Sequence, residues 1–230
     1  LRSLDKNMDV PIKSLEQSDP HQTFTLLTES SLMTGENYEL YITFVGNMLD
    51  KRVGLYSFVY PDASEPRMRM AAGSQFQPFH AREAFPCFDE PQYRSEFQVG
   101  IGRLEKYQSF SNTKINETVP CSKPGWVWDM YEWSPAMPAN LVNVVVVDGY
   151  SCEEADAAIV PGKKIQVWAP KPLIDQKAGV YAAMLTAHMI KYFQDYFDFP
   201  YVLSKLDSLL VWQTDGPAME HWGSITYGLG

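Results

Sequence analysis

Near residue 170 the apolar pattern of this 230-residue chain changes period, and that switch limits the folds open to it. Up to about residue 165 the sequence is a series of short runs mixing aromatic and β-branched residues: "TFTLLTE", "YELYITFVG", "VGLYSFVY", "SEFQVGIGRL", "LVNVVVVDGY" and "KKIQVWAP". Such runs read as strands, and Gly35 and Asn37 in "MTGENY" supply a turn between the first two. The valines of "NVVVVDG" do not alternate with polar residues, which predicts burial on both faces. "PCSKPGWVWDMYEWSPAMP" reads as loop and short strand held down by its tryptophans. Beyond residue 170, "PLIDQKAGVYAAMLTAHMIKYFQDYFDFP" places Ala182, Leu185, Met189, Tyr192 and Phe193 on one helix face, and Pro200 limits the helix. "KLDSLLVWQ" then reads as a strand. The fold class is therefore mainly β. An antiparallel two-layer β domain covers residues 1–168, and the start of an α/β domain covers 169–230. The second part, at about sixty residues, cannot close a core alone.

Charge and motif content exclude several functions. Acidic residues outnumber basic ones 28 to 19, for a net charge of −9, which argues against a nucleic-acid partner. No apolar run approaches the length of a membrane span. The start, "LRSLDKNMDV", is not a signal peptide and reads as a cut end. Cys87, Cys121 and Cys152 form neither a disulfide framework nor a zinc cluster by spacing. His21, His80, His188 and His221 include no H-E-x-x-H, and His188 reads as an ordinary helix residue. There is no G-x-S-x-G turn and no phosphate loop, and Cys87 reads as a packed thiol. Asp89 and Glu90, with Arg82, Glu83 and Arg94 nearby, suit an ionic network that fixes a turn. Asn116 begins "NET", a glycosylation sequon, and points to the secretory pathway. Glu220 is different. In "DGPAMEHWGSITYG" it lies between Pro217 and Gly223, on irregular backbone that suits capture of an amine; the competing reading is a loop salt bridge.

Three ordered blocks carry a family resemblance. "QFQPFHAREAFPCFDEPQYRSEF" resembles the signature of the zinc aminopeptidases related to aminopeptidase N, the gluzincin aminopeptidases, usually Q-F-E-x-x-x-A-R-x-x-F-P-C-F-D-E-P. "DGPAMEHWGSITY" is similar to that family's G-A-M-E-N-W-G-x-x-T-Y, and "YFQDYFDFPYVLSKLDSLLV" to the segment before it. The resemblance covers nearly the whole chain. It implies an N-terminal β domain lacking its first strands, followed by the opening of a thermolysin-like catalytic domain.

By the same resemblance, Glu220 matches the glutamate that binds the substrate's free α-amine, and Gln77 a second residue holding that amine. A glutamine there accepts an ammonium hydrogen through its carbonyl oxygen. Ala218 and Met219 match backbone positions that line the substrate, while Gly223 and Tyr227 match structural positions. Pro217 and His221 replace the motif's glycine and asparagine, changes expected to affect the edge against which a peptide lies. No residue matches the family's zinc ligands or catalytic groups. Zinc is implied for the complete family enzyme only, so the expected catalytic and metal sites in this chain are none. The reading is a fragment or truncated relative of a zinc aminopeptidase, inactive alone, whose partners are a peptide N-terminus and the remainder of a catalytic domain. The competing reading is a non-catalytic peptide- or protein-binding β domain. The resemblance implies an extracellular or membrane-associated setting, with a cytoplasmic one as the alternative.

Overall fold

The structure is a computed structural model and describes residues 1–48, 51–62, 66–212 and 216–229. The chain forms two compact units, Leu1–Gly46 and Asn47–Gly230. The first holds β1 (Arg2–Ser3), β2 (Met8–Asp9), β3 (Ile12–Ser18), β4 (Thr23–Thr28) and β5 (Tyr38–Glu39). β1 lies between β2 and β5, and β3 pairs with β4 as an antiparallel hairpin bulged between Ile12 and Ser14. "TFTLLTE" therefore forms its strand. "YELYITFVG" enters a ladder only through Tyr38 and Glu39. A strand is stable where a neighbour accepts its backbone groups, and two-residue β1 offers no more. Tyr41 and Val45 consequently stand in solvent.

The second unit contains β6 (Gly54–Pro61), β7 (Met68–Gln75), β8 (Gly100–Leu104), β9 (Gln108–Phe110), β10 (Ile115–Pro120), β11 (Trp126–Tyr131), β12 (Val145–Val147), β13 (Tyr150–Glu154) and β14 (Lys164–Pro170). It continues with α1 (Lys171–Asp175), α2 (Val180–Phe197), β15 (Lys205–Trp212), β16 (Ala218–Met219) and β17 (Ser224–Leu229). Among the described residues these form three sheets, with strand orders β6-β7-β12-β9, β10-β11-β8 and β13-β14-β15-β17-β16. The first two are antiparallel. The third is mixed, because β14, β15 and β17 run parallel, and α1 and α2 supply the crossover between β14 and β15.

Side-chain parity explains how the sheets stack. Along β6, Tyr56, Phe58 and Tyr60 are buried while Ser57 and Val59 are exposed. Those rings meet Phe110, Val145, Val147, Leu209 and Val211 in one core, which joins the four-stranded sheet to the five-stranded one. β15 is covered on both sides: Leu209 and Val211 enter that core, whereas Leu206 packs with Ile165 and Ala187 of α2. Burial of both faces suits a central parallel strand. The "VVVV" run does not behave as its composition suggests. Val145 and Val147 are buried and Val146 only partly so, because one face of β12 meets the core and the other is partly covered.

The helix meets the sheet through small residues. Ala183 and Ala187 are buried, while Ala182, Leu185, Met189, Tyr192 and Phe193 are exposed, the first three of them lining a cavity with Val167, Ser208 and Leu210 of the sheet. α2 stops at Phe197, where Asp198 turns left-handed (φ 49°) and Phe199 N–H caps Gln194 O at 3.2 Å, just before Pro200. The expected ionic turn is simpler than its sequence suggests. Buried Asp89 accepts Arg82 N–H at 3.0 Å and Arg82 Nε at 3.1 Å, whereas Glu83 pairs with Lys51 and Glu90 accepts from Gln92. The expected domain boundary at 168/169 falls within β14, which hydrogen-bonds β13 on one side and β15 on the other.

Candidate functional site

Two of the sequence blocks meet through the residues that flank their polar side chains. β7 ends at Gln75, followed by buried Phe76 and exposed Gln77. β16 leads into exposed Glu220, then buried His221 and half-buried Trp222. Phe76 belongs to a buried cluster with Ala81, Met137, Ala139 and Val142, and Trp222 packs against that cluster. One apolar anchor therefore holds the residue before Gln77 and the second residue after Glu220.

A buried polar path runs between the same segments. Ser74 Oγ donates to Asn143 Oδ1 at 3.2 Å and accepts from Val144 N–H at 2.8 Å. Asn143 Nδ2 donates to Ser224 Oγ at 2.7 Å, and Asn143 N–H donates to Asn112 Oδ1 at 2.9 Å. Asn112 Nδ2 in turn donates to Trp222 O at 2.9 Å and Leu141 O at 2.7 Å. These bonds fix the end of β7 against the turn that carries Glu220. A fully satisfied buried network of this kind specifies one arrangement, since each broken member leaves a desolvated group behind.

The turn is also held at Gly223, whose φ of 84° favours glycine. Its carbonyl accepts from Lys205 Nζ at 2.9 Å and Asp207 N–H at 3.1 Å. Lys205 Nζ also donates to Ser111 O at 2.6 Å and pairs with Asp207 Oδ2 at 2.6 Å. Asp207 Oδ1 accepts from Trp168 Nε1 at 3.0 Å. Burial pulls the Lys205 pKa below its usual value, and the adjacent Asp207 carboxylate opposes that pull. Sequence reading missed these residues. The signals were present: Asn143 interrupts "LVNVVVV", and Lys205 and Asp207 stand two apart, on the strand face that also carries Leu209 and Val211.

β16 lies at an edge of the five-stranded sheet, pairing Ala218 with Tyr227 and Met219 with Thr226 of β17. An edge strand can receive an extended peptide by backbone pairing. Ala218 is exposed, whereas the Met219 side chain is buried. Pro217 O accepts from Gly228 N–H at 2.9 Å, which ties the entry to β16 back onto β17. Cys87, half-buried beside the same apolar cluster, has its thiol pKa pushed up to about 12 by burial, in keeping with a packed thiol.

His221 points inward. It is 1% exposed, and neither ring nitrogen has a hydrogen-bond partner among the described residues. Burial lowers its pKa to about 4; backbone groups of Ser224 and Met219 offset a little of this without reaching hydrogen-bond geometry. An unfolded histidine titrates near 6.5. Between those values the unfolded state binds more protons, so acid favours unfolding. The contribution is intact above about pH 6.5 and is lost as the pH falls toward 4. We expect acidification from pH 7 to pH 5 to remove about 2 kcal/mol through this ring. Urea melts at both pH values should show His221→Asn losing about 2 kcal/mol less than the parent. Equal losses would show that the ring is not held neutral.

Among the described residues no group of three or more His, Cys, Asp or Glu side chains is arranged to hold a metal ion. His21 and His188 are exposed, His80 pairs with Glu83, and His221 is enclosed without partners. These residues do not fit a zinc centre. No helix is long and apolar enough to cross a membrane among the described residues.

Residues 3–141 match the family model described as Peptidase M1 N-terminal domain. Over 217 residues the chain is 32% identical to endoplasmic reticulum aminopeptidase 1 of Rattus norvegicus, covering 94% of this chain and 22% of that protein. It is 31% identical over 222 residues to aminopeptidase Q of Acinonyx jubatus, covering 95% of this chain and 22% of the relative. It is also 31% identical over 214 residues to the thyrotropin-releasing hormone-degrading ectoenzyme of Homo sapiens, covering 93% of this chain and 20% of the relative. The chain thus spans about a fifth of the length of these relatives.

Proposed function

Since this chain belongs to the M1 peptidase family, we propose that it carries the amine-recognising part of an aminopeptidase. The Glu220 carboxylate attracts the α-ammonium of a peptide, and the Gln77 carbonyl oxygen accepts a second ammonium hydrogen. The peptide backbone extends along the Ala218–Met219 edge. What supports this reading above all is the shared anchor: Phe76, next to Gln77, and Trp222, two residues beyond Glu220, contribute to one apolar cluster. Both candidate side chains are exposed, as groups awaiting a charged ligand would be. Residues 1–168 then act as an N-terminal domain, and 169–230 as the opening of a catalytic domain whose zinc is held by other parts of the complete enzyme. One relative is named for the endoplasmic reticulum and another is named an ectoenzyme, and we place this chain in the same secretory route.

The test is a chimera in which this chain replaces the aligned 217 residues of the rat aminopeptidase. Loss of a partner for a buried ammonium costs several kcal/mol, and the open site reduces that penalty. Glu220→Ala is expected to lower kcat/KM by about 100-fold on a substrate with a free N-terminus. Gln77→Ala should cost less, because it removes a neutral partner. An N-acetylated substrate should be poor for the parent and nearly indifferent to Glu220→Ala. Equal proportional losses on free and blocked substrates would assign Glu220 a structural role instead.

A further inference from the structure

We propose that Asn116 is an N-glycan acceptor and that the glycan stands over the free edge of β10. The inference is independent of the amine site. Asn116-Glu117-Thr118 is a sequon whose middle residue is not proline. A triplet of this kind arises often by chance, so its setting decides the matter. β10 is an edge strand, since the sheet order is β10-β11-β8. Its register with β11 jumps between Ile115, opposite Tyr131, and Glu117, opposite Met130. Asn116 is therefore the extra residue of a bulge, without a partner in the ladder, and it is exposed. A bulky group attached there disturbs no strand pairing. It also covers an edge that would otherwise be open to strand addition.

The structure further places the event in time. Thr118 Oγ1 donates to Asp129 Oδ1 at 2.7 Å, and buried Asp129 is also bound by Arg103 and Ser109. Once β10 has docked on β11, the hydroxyl that completes the sequon is engaged. The acceptor must therefore be read before this sheet closes. The donor is an oligosaccharide on a polyprenyl diphosphate, brought by a transferase of the secretory lumen. A bond forms from Asn116 Nδ2 to the anomeric carbon, the carbon's bond to the diphosphate oxygen breaks, the diphosphate leaves as an anion, and one amide proton passes to a base on the transferase.

The experiment secretes the full chain behind a cleavable signal sequence from a eukaryotic host, with a second sequon in an added C-terminal tail. Only protein carrying the tail glycan is scored, so passage through the lumen is assured in every sample. The parent is expected to carry two glycans and Asn116→Gln one. Thr118→Ser, which keeps both the sequon and a hydroxyl for Asp129, should carry two. Treatment with peptide N-glycosidase should collapse all bands and leave aspartate at position 116 in the parent peptide. A parent that carries the tail glycan alone, with unmodified Asn116, overturns the proposal. The readout does not depend on folding of the variants, because transfer precedes it.

Discussion

Gly223→Ala is expected to destabilise the chain by about 4 kcal/mol or more, enough to unfold a protein of ordinary stability. Two effects add. A non-glycine residue at φ 84° carries left-handed strain of about 1–2 kcal/mol. A Cβ would also overlap the Asn112 carbonyl oxygen and stand 2.5 Å from Leu203 Cδ1. The first obstacle is backbone, so the turn must move. Moving it breaks the bonds that Gly223 O accepts from Lys205 and Asp207 and strains the Asn112–Trp222 bond. Each buried group left unpaired costs about 1–3 kcal/mol. Gly125→Ala provides the control. Gly125 has a similar φ of 76° but nothing within 4 Å of an added Cβ, so only the conformational strain of about 1–2 kcal/mol is expected. Chemical denaturation of both variants decides the matter, and similar losses would refute the crowding argument.

Lys205→Met is expected to cost about 3–5 kcal/mol, the range for a broken buried ion pair. Lys205 and Asp207 are each 6% exposed. The substitution keeps the aliphatic volume and removes the ammonium, leaving Asp207 Oδ2 without its cation and the carbonyls of Ser111 and Gly223 without a shared donor. Trp168 Nε1 alone cannot neutralise the carboxylate. Asp207→Asn in the same background should recover part of the loss, because it removes the orphaned charge and keeps an oxygen for Trp168. The comparison is a double-mutant cycle read by denaturation. If the single substitution costs less than about 1 kcal/mol, the pair is not the brace described here.

Much of this molecule can be read from local pattern, and the exceptions share a cause. β6 and β15 follow their aromatic and apolar runs, and α2 stops ahead of Pro200 as its breaker dictates. Parity and chain termination are properties of neighbouring residues, so a single sequence displays them. The contact face of α2 is different. Periodicity draws attention to Leu185, Met189 and Tyr192, yet Ala187 is the buried residue that packs on Ile165 and Leu206, because close approach of a helix to strands favours small side chains. The partial strand at "YELYITFVG" depends on a neighbour long enough to pair with it, which its own alternation cannot report. In the candidate site, Glu220 and Gln77 stand out through motif resemblance. Asn112, Asn143 and Lys205 do not, since their partners are distant in sequence: Lys205 reaches Ser111, and Asn112 reaches Trp222.

The five-stranded sheet has a consequence for how such proteins can be shuffled. β14 and β15 share a ladder from Lys164↔Lys205 to Trp168↔Leu209, and residues 47–230 form one compact unit. A genetic crossover placed near residue 168 would join strands selected in different ancestors. It would mismatch their hydrogen-bond register and both of the layers that β15 separates. Chimeras between family members should therefore tolerate exchange at the 46/47 junction better than inside the sheet. The heritable block is the sheet with its crossover helix, and a natural lineage that swaps its C-terminal part must carry the strands from Tyr150 onward along with it.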